Sequence, residues 1–205
     1  MRGCNARYRF LFKVFFPTVK PLCKKRKIYA MKEWKLLVVL YEIPEKPSKI
    51  KVGCWRRLRR LGGMYPRLSL CVLPDTKEVR ETLSVVLDEI RKWGTAIVLE
   101  GKPLSEVDTS QLRNALASIK EREYKEILEE CNEFLSEIKE NIDKGNLTQE
   151  EAEELEEILE ALNRWYEHVH NSDWLEMRAS EEVEKKLKEC EKALEEFISL
   201  CLKRG

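Results

Sequence analysis

Residues 34–74 read WKLLVVLYEIPEKPSKIKVGCWRRLRRLGGMYPRLSLCVLP, and the hydrophobic period changes several times along them. Leu36, Leu37, Val38, Val39 and Leu40 form a nearly continuous apolar run, as expected of a central strand covered on both faces, or on one face and at a dimer contact. Pro44 and Pro47 end it. From about Ser48 the spacing becomes helical. Ile50, Cys54, Leu58 and Leu61 fall on one stripe, and Gly62-Gly63 stop the helix. On the opposite face Lys49, Gly53, Arg56 and Arg60 stack along one ridge, flanked by Arg57 and Arg59. Glu42 ends the strand, so a carboxylate is expected beside a ridge of positive charge, an arrangement suited to phosphate or another oxyanion.

Leu68 to Leu73 continues as a strand ended by Pro74, with a weaker strand near Met64 to Pro66. Asp75 and Glu78 have capping-box spacing for a second helix, whose stripe is Val79, Leu83, Val86, Ile90 and Trp93. Gly94 closes it, and Thr95 to Leu99 is the last strand. The order is βαββαβ, which predicts an α+β fold, a ferredoxin-like sandwich over residues 31–102.

Residues 103–205 read as helical throughout. Asp108 and Gln111 are placed to cap a long helix, with Val107 and Leu112 as a hydrophobic staple and a stripe through Leu116, Ile119, Ile127, Cys131, Leu135 and Ile138. Gly145-Asn146 breaks it. Thr148 with Glu151 caps a second helix (Leu155, Ile158, Leu162, Tyr166, Val169), and Ser180 opens a third (Val183, Leu187, Cys190, Leu194, Phe197, Cys201). Three amphipathic helices joined by short turns predict an antiparallel three-helix bundle, packed on or beside the sandwich.

The chain has 205 residues and a net charge of +1, which hides a strong asymmetry. Residues 1–30 hold nine Lys/Arg and no acid, residues 31–100 fourteen against nine, and residues 101–205 fifteen against twenty-eight. Such polarity fits nucleic acid at one end, or acidic helices that cover a basic face. Residues 1–30 read as a basic arm or a start codon placed upstream of Met31. Their apolar run, Phe10 to Phe16, is interrupted by Lys13 and followed by Pro17, and is too short to span a bilayer. Neither a signal peptide nor a membrane helix is expected. Seven cysteines with no C-x-x-C pair point to free thiols in a reducing cytosol.

Several of these residues carry a family resemblance. Leu40-Tyr41-Glu42-Ile43-Pro44, Pro47-Ser48, the run Trp55 to Gly63, and Val72-Leu73-Pro74 resemble the N-terminal domain of the ChrB chromate-resistance proteins. Arg122-Glu123-Tyr124, Arg164-Trp165, Asp173, Cys190-Glu191 and Phe197 resemble the same family. The resemblance implies a chromate-responsive transcriptional regulator of an efflux operon, or an accessory factor. The second resistance domain of that pattern has no counterpart here, so a stand-alone helper or one half of a split system is expected. The strand-acid-helix opening is also similar to the C-terminal domain of PaaX repressors and to the ferredoxin-like nuclease subunit of CRISPR adaptation complexes. Those families usually have Asp where this chain has Glu42.

The expected binding residues for DNA phosphate or chromate are therefore Arg56, Arg57, Arg59, Arg60 and Lys49, with Glu42, Glu123 and Tyr124 organising the surface. Along the long helix, position 123 is the apolar slot after Leu116 and Ile119. A carboxylate there is expected to be partly buried and paired with an arginine of the first helix. His168 and His170, two apart on a helix, point about 200° from each other and cannot share an ion. Trp55, Trp93, Trp165 and Trp174 read as core or interface residues. No catalytic residue, metal or cofactor is expected; the likeness to the PaaX and CRISPR families implies a homodimer through the sandwich, and a cytoplasmic location is expected. Two alternatives remain: a metal-dependent nuclease pairing Glu42 across a dimer, and a protein-interaction module using the acidic helices.

Overall fold

A computed structural model describes residues 34–44, 48–67 and 70–204; the basic segment 1–30 lies outside them. The described residues hold four strands, β1 (Leu36–Glu42), β2 (Met64–Arg67), β3 (Leu70–Pro74) and β4 (Thr95–Gly101), and five helices. The helices are α1 (Ser48–Arg60), α2 (Lys77–Arg91), α3 (Glu106–Lys144), α4 (Gln149–Asn171) and α5 (Ala179–Arg204). The fold is α+β and mostly helical. The strands form one antiparallel sheet in the order β2-β3-β1-β4.

The nearly unbroken apolar run of β1 follows from its central place. Leu37 and Val39 face one core with Cys54 and Leu58 of α1, Cys71 and Leu73 of β3, and Val79, Leu83, Val86 and Ile90 of α2. Leu36 faces the other way, into a second cluster with Met64, Val72, Leu116 of α3 and Trp174. Each fully buried Leu or Ile contributes about 1.5–3 kcal/mol of burial free energy, so both faces hold the sheet in register.

Gly62 and Gly63 end α1 in a Schellman motif: the Gly63 N–H donates to the Leu58 carbonyl at 3.0 Å and the Gly62 N–H to the Arg59 carbonyl at 3.0 Å. Gly62 has φ +88°. A Cβ on Gly63 would lie 2.6 Å from both the Cys71 Sγ and the Leu58 carbonyl oxygen, so the turn excludes side chains at both positions for different reasons.

Three local expectations are corrected. The N-cap of α2 is Thr76, whose side chain accepts from the Val79 N–H at 3.2 Å; Asp75 instead pairs with Arg80. α3 begins earlier than Asp108, because Ser105 Oγ accepts the Asp108 N–H at 3.1 Å, and Val107 is 65 % exposed, which rules out the staple. Trp93 is 51 % exposed, since α2 has already ended at Arg91. By contrast, Thr148 Oγ1 accepts from the Glu151 N–H at 3.2 Å, as its spacing predicts.

The described residues divide into two compact units. One comprises residues 34–123 with His168–Arg178, the other Tyr124–Glu167 with residues 179–204. The division thus falls inside α3. In the second unit, Ile127, Cys131, Phe134 and Ile138 of α3, Leu155, Leu159 and Leu162 of α4, and Val183, Leu187, Cys190, Leu194 and Phe197 of α5 are buried. Asn141 donates to Glu151 at 3.1 Å and Tyr166 shares a hydrogen bond with Ser180 at 3.1 Å. Cys54, Cys71, Cys131, Cys190 and Cys201 are free thiols.

Candidate functional site

α1 carries six cations and no acid: Lys49, Lys51, Arg56, Arg57, Arg59 and Arg60. Cys54, Leu58 and the following Leu61 turn into the sheet core, which fixes the charged face outward. Lys49, Lys51, Arg57 and Arg60 are exposed, while Arg56 and Arg59 are partly buried. Three of the cations crowd the last turn, where they also complement the negative end of the helix dipole.

The arginines divide by partner. Arg57 pairs with Glu89 of α2, and side-chain exposures of 45 % and 39 % leave that pair well screened by water. Arg59 turns inward: its guanidinium lies over the Trp55 ring at 5.0 Å and pairs with Glu123. Of the ridge Lys49, Arg56 and Arg60, the first and last are exposed, while Arg56 is partly buried with its Nε shut off from water.

Glu123 is buried, 8 % exposed, and bonds an arginine of α1, in the way its slot on the α3 stripe implies. Its second partner is Lys120, one turn earlier and 2 % exposed. The Lys120 ammonium donates to Glu123 Oε2 at 2.9 Å, to Ser172 Oγ at 2.6 Å and to the Val169 carbonyl at 3.3 Å, which uses all three of its protons. Asp173 sits beside it and accepts from the N–H groups of Leu175 and Met177 at 3.1 and 3.0 Å. All these groups belong to the unit that contains the sheet.

Burial and the neighbouring Arg59 charge pull Lys120 down to about 7, with Asp173 opposing. His168 is pulled down to about 4, first by burial and then by Arg59, Lys120 and Arg60. A histidine in the last turn of α4 would gain from the helix dipole if charged, but loss of water and three nearby cations outweigh that gain.

The other expected residues lie apart from this network. Glu42 is exposed at the end of β1, opposite Thr95. From there the chain enters the first turn of α1, while Arg56 to Arg60 occupy its last two turns. At a rise of 1.5 Å per residue, Arg56 is about 12 Å along the helix from Ser48. The structure therefore does not bring Glu42 beside the arginines. Instead Gly94 packs against it so closely that a Cβ would lie 1.9 Å from the Glu42 carbonyl oxygen. Tyr124 is fully buried and belongs to the other unit.

Lys120, Ser172 and His168 were not legible as members of a cluster. The one available signal was a lysine at position 120 of an apolar stripe, three residues before Glu123. Among the described residues no group of three or more His, Cys, Asp or Glu side chains is placed to hold a metal ion. Among them, too, no helix is long and apolar enough to cross a membrane.

The family model described as Protein ChrB, N-terminal, matches residues 51–204, which takes in most of α1 and every later element. Among curated proteins no match is found.

Proposed function

The chain belongs to the ChrB N-terminal family, and from that membership we propose that it is a cytosolic regulator or accessory factor of chromate resistance that holds DNA phosphate or an oxyanion on the outer face of α1. The observation that carries this reading is the composition of α1, which holds six cations and no acid, with Lys49, Lys51, Arg57 and Arg60 exposed to water. Guanidinium groups suit phosphate and chromate because their N–H fork matches two oxygens of a tetrahedral anion. Lys49, Arg56 and Arg60 are the proposed phosphate contacts, with Arg57 adding charge. Arg59 has a positioning role: its bond to Glu123 joins α1 to α3. The reading asks no chemistry of the chain.

We further read residues 34–102 as a ferredoxin-like sandwich. What supports this is the antiparallel order β2-β3-β1-β4 with α1 and α2 sharing a core on one sheet face. The stripes of α3, α4 and α5 within one unit support the three-helix bundle in the same sense.

The test is fluorescence anisotropy of the full chain with labelled DNA from upstream of its own coding region and with random duplex, with and without chromate. Selective binding that chromate shifts supports the regulator. Absence of binding to either duplex at low salt refutes it.

A further inference from the structure

The two edges of the sheet are built differently. β2 is four residues long, shifts register between Met64 and Arg67, and contains Pro66. These are devices that keep an edge from recruiting another strand. β4, at the other edge, has none of them. Seven consecutive pairs tie it to β1 without a shift, and Thr95 to Leu99 contains neither charge nor proline.

Its side chains point the same way. Ala96 and Val98 pack on the core shared with α1 and α2. Ile97 and Leu99 stand on the opposite face, 58 % and 50 % exposed, and Leu40, paired with Ile97, is 38 % exposed. Among the described residues this is an edge strand in unbroken register, with its one charge, Glu100, near its end and large apolar side chains left in water, a pattern that promotes strand pairing.

We propose that β4 pairs antiparallel with β4 of a second copy of this chain, across a two-fold axis at Val98, so that two four-stranded sheets become one of eight strands. The case for a second copy is self-complementarity. About that axis Ile97 lies opposite Leu99 of the second copy and Leu99 opposite its Ile97, so the exposed side chains close into one apolar block. Ala96 lies opposite Glu100, and Thr95 opposite Gly101. No acid faces an acid, and the Glu100 carboxylate is already held by Arg80 at 2.6 Å.

The full chain is tested by sedimentation equilibrium over a wide concentration range. The expected mass is twice the 24.3 kDa of one chain. Ile97→Lys/Leu99→Lys and Ile97→Glu/Leu99→Glu are each expected to be monomeric, and an equimolar mixture of the two regains the dimer, because lysine then faces glutamate. Val85→Lys, at a site on α2 that is 67 % exposed, stays dimeric. A monomeric wild type, a dimer indifferent to charge at both positions, or equal dissociation of Val85→Lys overturns the proposal. A measurement independent of any variant is amide hydrogen exchange of Thr95 to Gly101, expected to quicken on dilution; exchange unchanged by dilution overturns it as well.

Discussion

Glu123→Gln strikes the group that serves two cations at once, one buried and one partly buried. The carboxylate accepts from Lys120, which is 2 % exposed, and pairs with Arg59, whose side chain is 22 % exposed. Removing one partner of a buried ion pair costs about 3–5 kcal/mol, because the remaining charge is left without compensation. Arg59 retains some water, which lowers the expected loss to about 2–4 kcal/mol by screening. The amide still offers one acceptor oxygen but no charge to set against Arg59, whose field already helps pull Lys120 down to about 7. Lys120→Met removes the second cation, so the double variant is expected to lose at least about 1 kcal/mol less than the two single losses added together. Urea unfolding followed by circular dichroism at pH 7 gives all four values. A loss below about 0.5 kcal/mol for Glu123→Gln, the level of an exposed pair, or strict additivity of the two changes, would refute the reasoning.

The same cluster sets a pH dependence. His168 falls from 6.5 to about 4 on folding, so between those values the unfolded chain binds a proton that the folded chain refuses. Stability therefore declines as pH drops through that window, by about 3 kcal/mol at about 1.4 kcal/mol per unit; urea midpoints of wild type and His168→Gln between pH 7 and 4 should diverge, and parallel curves would exclude the effect. Trp174→Phe keeps a ring against Trp34 but removes the 2.9 Å bond from the indole N–H to the Gly62 carbonyl, and should cost about 1–3 kcal/mol in thermal unfolding through the unsatisfied buried carbonyl. Arg57→Ala breaks only the screened pair with Glu89, so its urea midpoint should move by less than about 1 kcal/mol while duplex binding weakens; a large stability loss would assign Arg57 a structural role instead.

Features set by local spacing were legible in the sequence. The nearly continuous apolar run of β1, the stripe of α1 with its glycine stop, and the Thr148 cap all depend on residues within a few positions of one another. Choices between equivalent neighbours were not. Asp75 and Thr76 are both good caps, and Arg80 settled the competition by drawing Asp75 away. Trp93 continued the α2 stripe on paper, but the helix had stopped two residues before it.

The site was legible in halves. Glu123 could be paired with an arginine of α1 because a carboxylate in an apolar slot requires a cation. Lys120 could not be seen in the same way, since its other partners, Ser172 and the Val169 carbonyl, are 52 and 49 residues away and reach it only through the fold. Glu42 next to the arginines was a reading along the chain. It failed because the strand meets the helix at the end opposite the arginines.

The most direct test of phosphate binding by α1 is the salt dependence of affinity for a random duplex, comparing wild type with Lys49→Ala/Arg56→Ala/Arg60→Ala. Each lost phosphate contact flattens the slope of log K against log salt by about 0.9, so the triple variant should be flatter by roughly 2–3 and weaker at low salt. Equal slopes and equal affinities for the two proteins would contradict the assignment of these side chains as phosphate contacts.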